Sequence, residues 1–354
     1  MDEADPLSGL GPLLETGLGP EPGYAAIARA EAALVTRSGL LGLGMAFAAR
    51  QMVARFFVLG FGSEAQRAAW RGATAAVAIS EPGVGAHPKH LTTRAEPVGG
   101  GWRMTGEKAW VSNGPLAKVF VVLAIMAEEA GRKRYGAFLV PRGTPGLLVK
   151  ETEAFRALAP SRHCGLVLDG CVVPRDALLG PPGDAYEAMA LPFRDVEDAV
   201  GLSGLAGACR FLVGRLGNPS GSEAALSRGA LVALTAVLES GAARITAALD
   251  AGRLAEHQAE AIGLRLLAAE IAARARRHCA EFASGDDPAV ARALANMEAS
   301  QSVARGVRAA RLARLETLSP PPGPLPQSMP SGRPSAGPVG EGESSVFPSP
   351  CGRG

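Results

Sequence analysis

Aromatic residues are scarce in this 354-residue chain: three tryptophans, three tyrosines and eleven phenylalanines, 5% in all. With so few large rings, any core must be assembled from alanine, valine, leucine and isoleucine, which the 47% hydrophobic content supplies. Cysteine is equally sparse. Cys164, Cys171, Cys209, Cys279 and Cys351 show no close paired spacing, which excludes a disulfide framework or a Cys-x-x-Cys metal knuckle and predicts free thiols in a reducing compartment. His163-Cys164 and His278-Cys279 are adjacent pairs, and neighbouring side chains rarely bind one ion together, so no metal site is expected. Charge of one sign is also lacking: 36 basic and 34 acidic residues leave a formal charge of +2, without a basic run that would mark a nucleic-acid partner. The first residues, Met1-Asp2-Glu3-Ala4-Asp5, are acidic where a signal peptide is positive, and a cytoplasmic location is the expectation.

Three zones and a tail are legible. The first, 1–74, is read as helical. Tyr24 to Ser38 carries Ile27, Leu34 and Val35 at helical spacing, and Leu40 to Leu59 continues as a more apolar helix. Arg50, Gln51 and Arg55 stand in the middle of that second run, where each charge costs a few kcal/mol in lipid, so a core helix is expected and not a membrane span. Ser63, followed by Glu64 and Gln66, is placed to cap a third helix.

From 75 to 182 the pattern breaks into short strand-like runs punctuated by Gly99-Gly100-Gly101 and Gly131, which predicts a small β-barrel or sandwich. From 183 to 317 it is helical almost throughout, with long segments at Asp184 to Leu216, Ser222 to Ala251, Leu254 to Ala283 and Pro288 to Glu316, the signature of an antiparallel bundle. The fold class is therefore α+β. Residues 318–354 hold ten prolines and seven glycines and no periodicity, which predicts a disordered tail.

Two phrases stand out in the strand-rich zone. Ala78-Ile79-Ser80-Glu81-Pro82-Gly83-Val84-Gly85 is an apolar run broken by turn residues, and Gly106-Glu107-Lys108-Ala109-Trp110-Val111-Ser112-Asn113-Gly114 alternates, with Trp110 and Ser112 expected on one face. An indole plane with a hydroxyl two residues on suits a flat polar ring, held by stacking and a hydrogen bond. Each residue taken singly also reads as barrel core or turn cap.

Together the phrases resemble the acyl-CoA dehydrogenase family of flavoenzymes, in which a Thr-Glu-Pro-x-x-Gly-Ser-Asp loop precedes a Gly-x-Lys-x-Trp-Ile-Thr-Asn-Gly strand; Leu166 to Pro174 is similar to the family's last barrel strand. The resemblance implies a helical region, a small β-barrel and a helix bundle, with FAD as cofactor. It implies that Ile79, Ser80, Gly85, Trp110 and Ser112 contact FAD, with Ser112 in place of the family threonine at flavin N5. Ala86-His87 stands where the family has Ser-Asp, which puts Ala86 on the substrate side without its hydroxyl.

Met297-Glu298-Ala299-Ser300-Gln301-Ser302-Val303-Ala304-Arg305 resembles the family's Tyr-Glu-Gly-Thr-x-Gln-Ile-x-Arg phrase and makes Glu298 the candidate base, in a dry cleft that would raise its pKa. The chain departs from the family at Arg215-Leu216-Gly217 and around Ala280 to Gly285, where motifs that bind FAD from a neighbouring subunit are absent.

The implied reaction is α,β-dehydrogenation of an acyl-CoA thioester. The implied partners are an electron acceptor such as an electron-transfer flavoprotein and further copies of the chain, as a homodimer or homotetramer. A non-catalytic relative and a flavin monooxygenase on the same scaffold stand as alternatives. No metal, nucleic acid or membrane span is expected.

Overall fold

A computed structural model describes residues 22–152, 156–216, 221–282, 287–303 and 305–318. The predicted disordered tail lies outside these residues but for Leu318. Residues 1–309 form one compact unit and 310–354 a second, of which only 310–318, the end of helix Arg305–Leu318, are described.

The described residues begin with two helices, α1 (Tyr24–Ser38) and α2 (Leu41–Val53), separated by Gly39, whose φ of 67° supplies the left-handed residue that ends α1. The chain continues from α2 through a π-helical turn, Ala54–Leu59. Leu41–Leu59 is long and apolar enough to cross a membrane by composition, yet Phe47 and Phe57 are buried within the protein, as expected of a core helix. The predicted cap is in place at α3 (Glu64–Trp70): Ser63 Oγ accepts from Gln66 N while Gln66 Oε1 accepts from Ser63 N.

Eight strands follow: β1 (Ala75–Ala78), β2 (Arg94–Val98), β3 (Gly101–Ser112), β4 (Val119–Glu129), β5 (Arg132–Pro141), β6 (Leu147–Thr152), β7 (His163–Pro174) and β8 (Leu178–Leu179). They form one sheet in the order β6-β7-β3-β2-β4-β5-β8, with β1 added parallel to β4. Its end strands β6 and β8 do not pair with each other among the described residues, so the barrel-like sheet is open. Ala130 and Gly131, both at positive φ, turn the β4–β5 hairpin. β4 is buried on both faces. Val119, Val121, Leu123 and Ile125 join a core with Phe47, Phe57 and Phe193, whereas Phe120, Val122 and Ala124 pack inside the sheet against Met104 and Leu166.

The helical half comprises α4 (Leu191–Arg215), α5 (Ser222–Asp250), α6 (Gln258–Phe282), α7 (Pro288–Ser302) and α8 (Arg305–Leu318). A π-helical turn, Tyr186–Ala190, leads into α4, and the segment read as continuous from Pro288 is broken near Val303. Leu205, Leu212, Leu231, Leu238, Ile245 and Ile271 make the bundle core. α5 too is long and apolar enough to cross a membrane by composition.

Helix α2 packs against a short 3-10 turn, Arg156–Leu158, with no room for a side chain at the contact. A Cβ at Gly42 would lie 1.7 Å from the Leu158 carbonyl oxygen.

Candidate functional site

β1 ends beside the middle of β3, so the two phrases singled out above become neighbours. The carbonyl of Ser80 accepts the N–H of Ala109 at 2.8 Å. Residues Glu81 to Gly85 then close a tight loop, in which Glu81 N donates to Gly85 O and Gly85 N donates back to Glu81 O. Gly83 and Gly85 sit at φ 75° and 63°, a region that disfavours other residues, and nothing lies within 4 Å of where their Cβ atoms would be.

The loop is fixed by a buried charge. Glu81 accepts from Thr92 N (2.7 Å), Thr92 Oγ1 (2.8 Å), Thr93 N (2.9 Å) and Lys108 Nζ (2.9 Å). Lys108 Nζ also donates to the carbonyl of Ile79 at 3.1 Å, and its side chain is wholly buried. Burial by itself pushes the Glu81 carboxyl up, but the Lys108 ammonium and the bonds from Thr93 outweigh it and hold the group at about 2. For Lys108 burial dominates and pulls the ammonium down to about 8 against the attraction of Glu81.

The alternation expected across Trp110 does not hold. β3 pairs with β7 through a register shift between Lys108 and Val111, and within this bulge Trp110 adopts φ 62°. The bulge turns Lys108 and Val111 inward and leaves Trp110 46% exposed, with Ser112 half-buried opposite His163. An indole at positive φ is uncommon, and such backbone concentrates at functional positions. Trp110 borders a groove of about 320 Å3 lined by Pro82, Gly83, Lys108, Thr152 and Leu166 among others.

Ile79, Ser80, Gly85 and Ala86 are all half-buried on the same loop. Ala86 offers only backbone: its carbonyl accepts from Tyr186 Oη at 3.0 Å. Tyr135 Oη donates to the Pro88 carbonyl, so two of the chain's three tyrosines pin this loop from β5 and from the π-turn before α4. Asn113 closes the other end. At φ 58°, it donates through Nδ2 to the Ala46 carbonyl of α2 and through its backbone N–H to Arg162 O.

Among the described residues no dry cleft encloses Glu298. The residue lies on α7 with its side chain 73% exposed and pairs with Arg276 on α6 at 3.2 Å, because its helix turns Met297 and Ser300 inward instead. It does not line the groove. Sequence reasoning missed Glu81, Lys108, Tyr135 and Tyr186. The first two lay within the quoted phrases, and a lysine between turn and strand residues was the available signal.

Residues 76–171 match the acyl-CoA dehydrogenase middle domain. The mitochondrial short-chain specific acyl-CoA dehydrogenase of Homo sapiens is 34% identical over 136 residues, 37% of this chain and 33% of that protein. The mitochondrial isovaleryl-CoA dehydrogenase of Oryza sativa subsp. japonica is 35% identical over 136 residues, covering 38% and 33%. The aligned region thus spans about a third of the length of these relatives.

Among solved structures, an FAD complex of PigA superposes with a TM-score of 0.73 at 20% identity, covering 85% of this chain and 86% of that one. Butyryl-CoA dehydrogenase from Megasphaera elsdenii gives 0.72 at 16% identity, covering 84% and 82%. Residues 76–171 thus match the middle domain of acyl-CoA dehydrogenases, and the chain shares its fold with butyryl-CoA dehydrogenase.

Proposed function

We propose that the chain is an FAD-dependent oxidoreductase that removes two hydrogens from the α and β carbons of an acyl thioester. The observation that carries this reading is the bond from Ala109 N to Ser80 O, which sets the Ser80 loop against the bulge presenting Trp110. A half-exposed indole, two nearby serines and a glycine loop open to solvent fit a flat ring with a polar edge. In this assignment Trp110 stacks on the ring, and the hydroxyls of Ser80 and Ser112 bond its polar edge. The backbone at Ile79 and Gly85 approaches it, and Ala86 faces the substrate.

When bound, FAD supplies the acceptor for the hydride that leaves the β carbon, while a carboxylate takes the α proton. The electrons then pass to a separate acceptor such as an electron-transfer flavoprotein, and the working form is a homodimer or homotetramer.

The test is anaerobic mixing of FAD-loaded protein with a panel of acyl-CoA thioesters. Bleaching of the flavin by at least one of them is expected. Glu298→Gln, run in parallel, examines the base. General-base loss is typically worth about two to four orders of magnitude in rate. A drop of that size would make Glu298 the base despite its exposure, and a near-normal rate, the outcome its solvation favours, would assign proton removal elsewhere. The exposure of Glu298 also favours a second reading, a flavin monooxygenase, which needs no carboxylate base. Failure of every thioester to bleach bound FAD, together with oxygen consumption by the reduced protein, would support it.

A further inference from the structure

We infer that Glu81 and Lys108 are positioning residues for the flavin ring, an inference that rests on the flavin reading above. Their side-chain bonds join the two segments that carry the proposed ring contacts to each other and to Thr92 and Thr93. Lys108 Nζ reaches the Ile79 carbonyl, one residue before Ser80, and Lys108 itself stands two residues before Trp110 on the inward side of the bulge. Glu81 follows Ser80 directly and gathers Thr92 N, Thr92 Oγ1, Thr93 N and Lys108 Nζ onto one carboxylate. The pair therefore cross-links the serine loop, the two threonines just before β2 and the tryptophan bulge at a single buried point.

A buried ion pair gives little net stability over a well-packed neutral substitute, because desolvation of both charges offsets their attraction. What it adds is direction. Charge-assisted bonds are short and strong, and here they add side-chain ties between the serine loop, Thr92-Thr93 and the bulged part of β3 to the backbone bonds already there. Lys108 Nζ donates to both the Ile79 carbonyl and the Glu81 carboxylate, which ties its ammonium to the residues on either side of Ser80.

The experiment compares wild type with the neutral double variant Glu81→Gln/Lys108→Met, measuring melting temperature, FAD affinity by absorbance titration and the fine structure of the bound-flavin visible band. The double variant is expected to fold with a lowered melting temperature, because one end of the new amide faces the Thr92 or Thr93 donors, to bind FAD weaker by about tenfold or more and to lose the resolved shoulders of the band. A matched control, Arg210→Met/Glu239→Gln, removes an ion pair between α4 and α5 and should leave FAD affinity unchanged. Equal FAD affinity in wild type and in Glu81→Gln/Lys108→Met overturns the inference while leaving the flavin reading intact. A wild type that binds no FAD overturns both. Should the double variant not fold, Thr92→Val removes one donor to Glu81 without touching a buried charge. Weaker FAD binding there supports the inference, and unchanged binding overturns it.

Discussion

Glu31→Met is expected to raise the melting temperature at pH 7 to 8 and to flatten its dependence on pH. Glu31 sits on α1 with 1% exposure, enclosed where α1 meets α2 and α4: a Cβ at Gly44 would lie 3.1 Å from its Cγ, and one at Gly204 would lie 2.5 Å from its Oε1. Its Oε2 is buried without a hydrogen-bond partner among the described residues. Burial pushes this carboxyl up to about 8, with the Arg265 guanidinium pulling weakly the other way.

The consequence for stability follows from proton counts. The unfolded chain releases this proton near 4.5 and the folded one near 8, so folding becomes progressively less favourable as pH rises between those values, and the cost is complete above 8. At pH 7 it is on the order of 3 kcal/mol. Methionine matches the length of glutamate and has no charge to bury. Melting curves of both proteins from pH 4.5 to 8.5 are the check: the gap should widen with pH, and a constant or reversed gap would show that Glu31 is ionised and paired in the fold.

Gly42→Ala is expected to cost about 3 kcal/mol or more, toward the upper end for overpacking. The new methyl would fall 1.7 Å from Leu158 O and 2.5 Å from Leu158 C, and backbone cannot swing aside as a side chain does. The turn it meets is also held from α7, where Asn296 Nδ2 donates to the Ala157 carbonyl. Gly229→Ala is the matched comparison. That glycine lies exposed two turns into α5 with nothing within 4 Å, and alanine there should add about 0.5–1 kcal/mol through helix propensity alone. Denaturant midpoints separate the two, and a neutral Gly42→Ala would mean that the 156–158 turn is free to shift.

Much of the architecture is readable from local pattern. Ser63, Glu64 and Gln66 announce a capped helix because capping is a property of four consecutive residues, and the apolar spacing of α4 to α6 survives averaging over many turns. β6 carries little local signal, because Leu147 to Thr152 is half-exposed on both faces and gets its strand character from pairing with β7. Trp110 was placed by simple alternation, but the bulge depends on the partner strand and is invisible in β3 alone.

The buried lysine is a similar case. Lysine is almost never inside without a partner, and its partner lies 27 residues away. Glu298 was chosen by likeness to a motif that has lost its glycine, and the helix continues straight through that position, so the carboxylate stays on the outer face.

The central claim is that Trp110 and the Ser80 loop hold a flavin, and an FAD titration of the full chain followed by visible absorbance tests it most directly. Wild type is expected to bind about one FAD per chain with a perturbed, structured band. Trp110→Ala should bind about tenfold more weakly at an unchanged melting temperature, since an exposed indole adds stacking but little core. Absence of a bound-flavin band in wild type, or an identical affinity in Trp110→Ala, would contradict it.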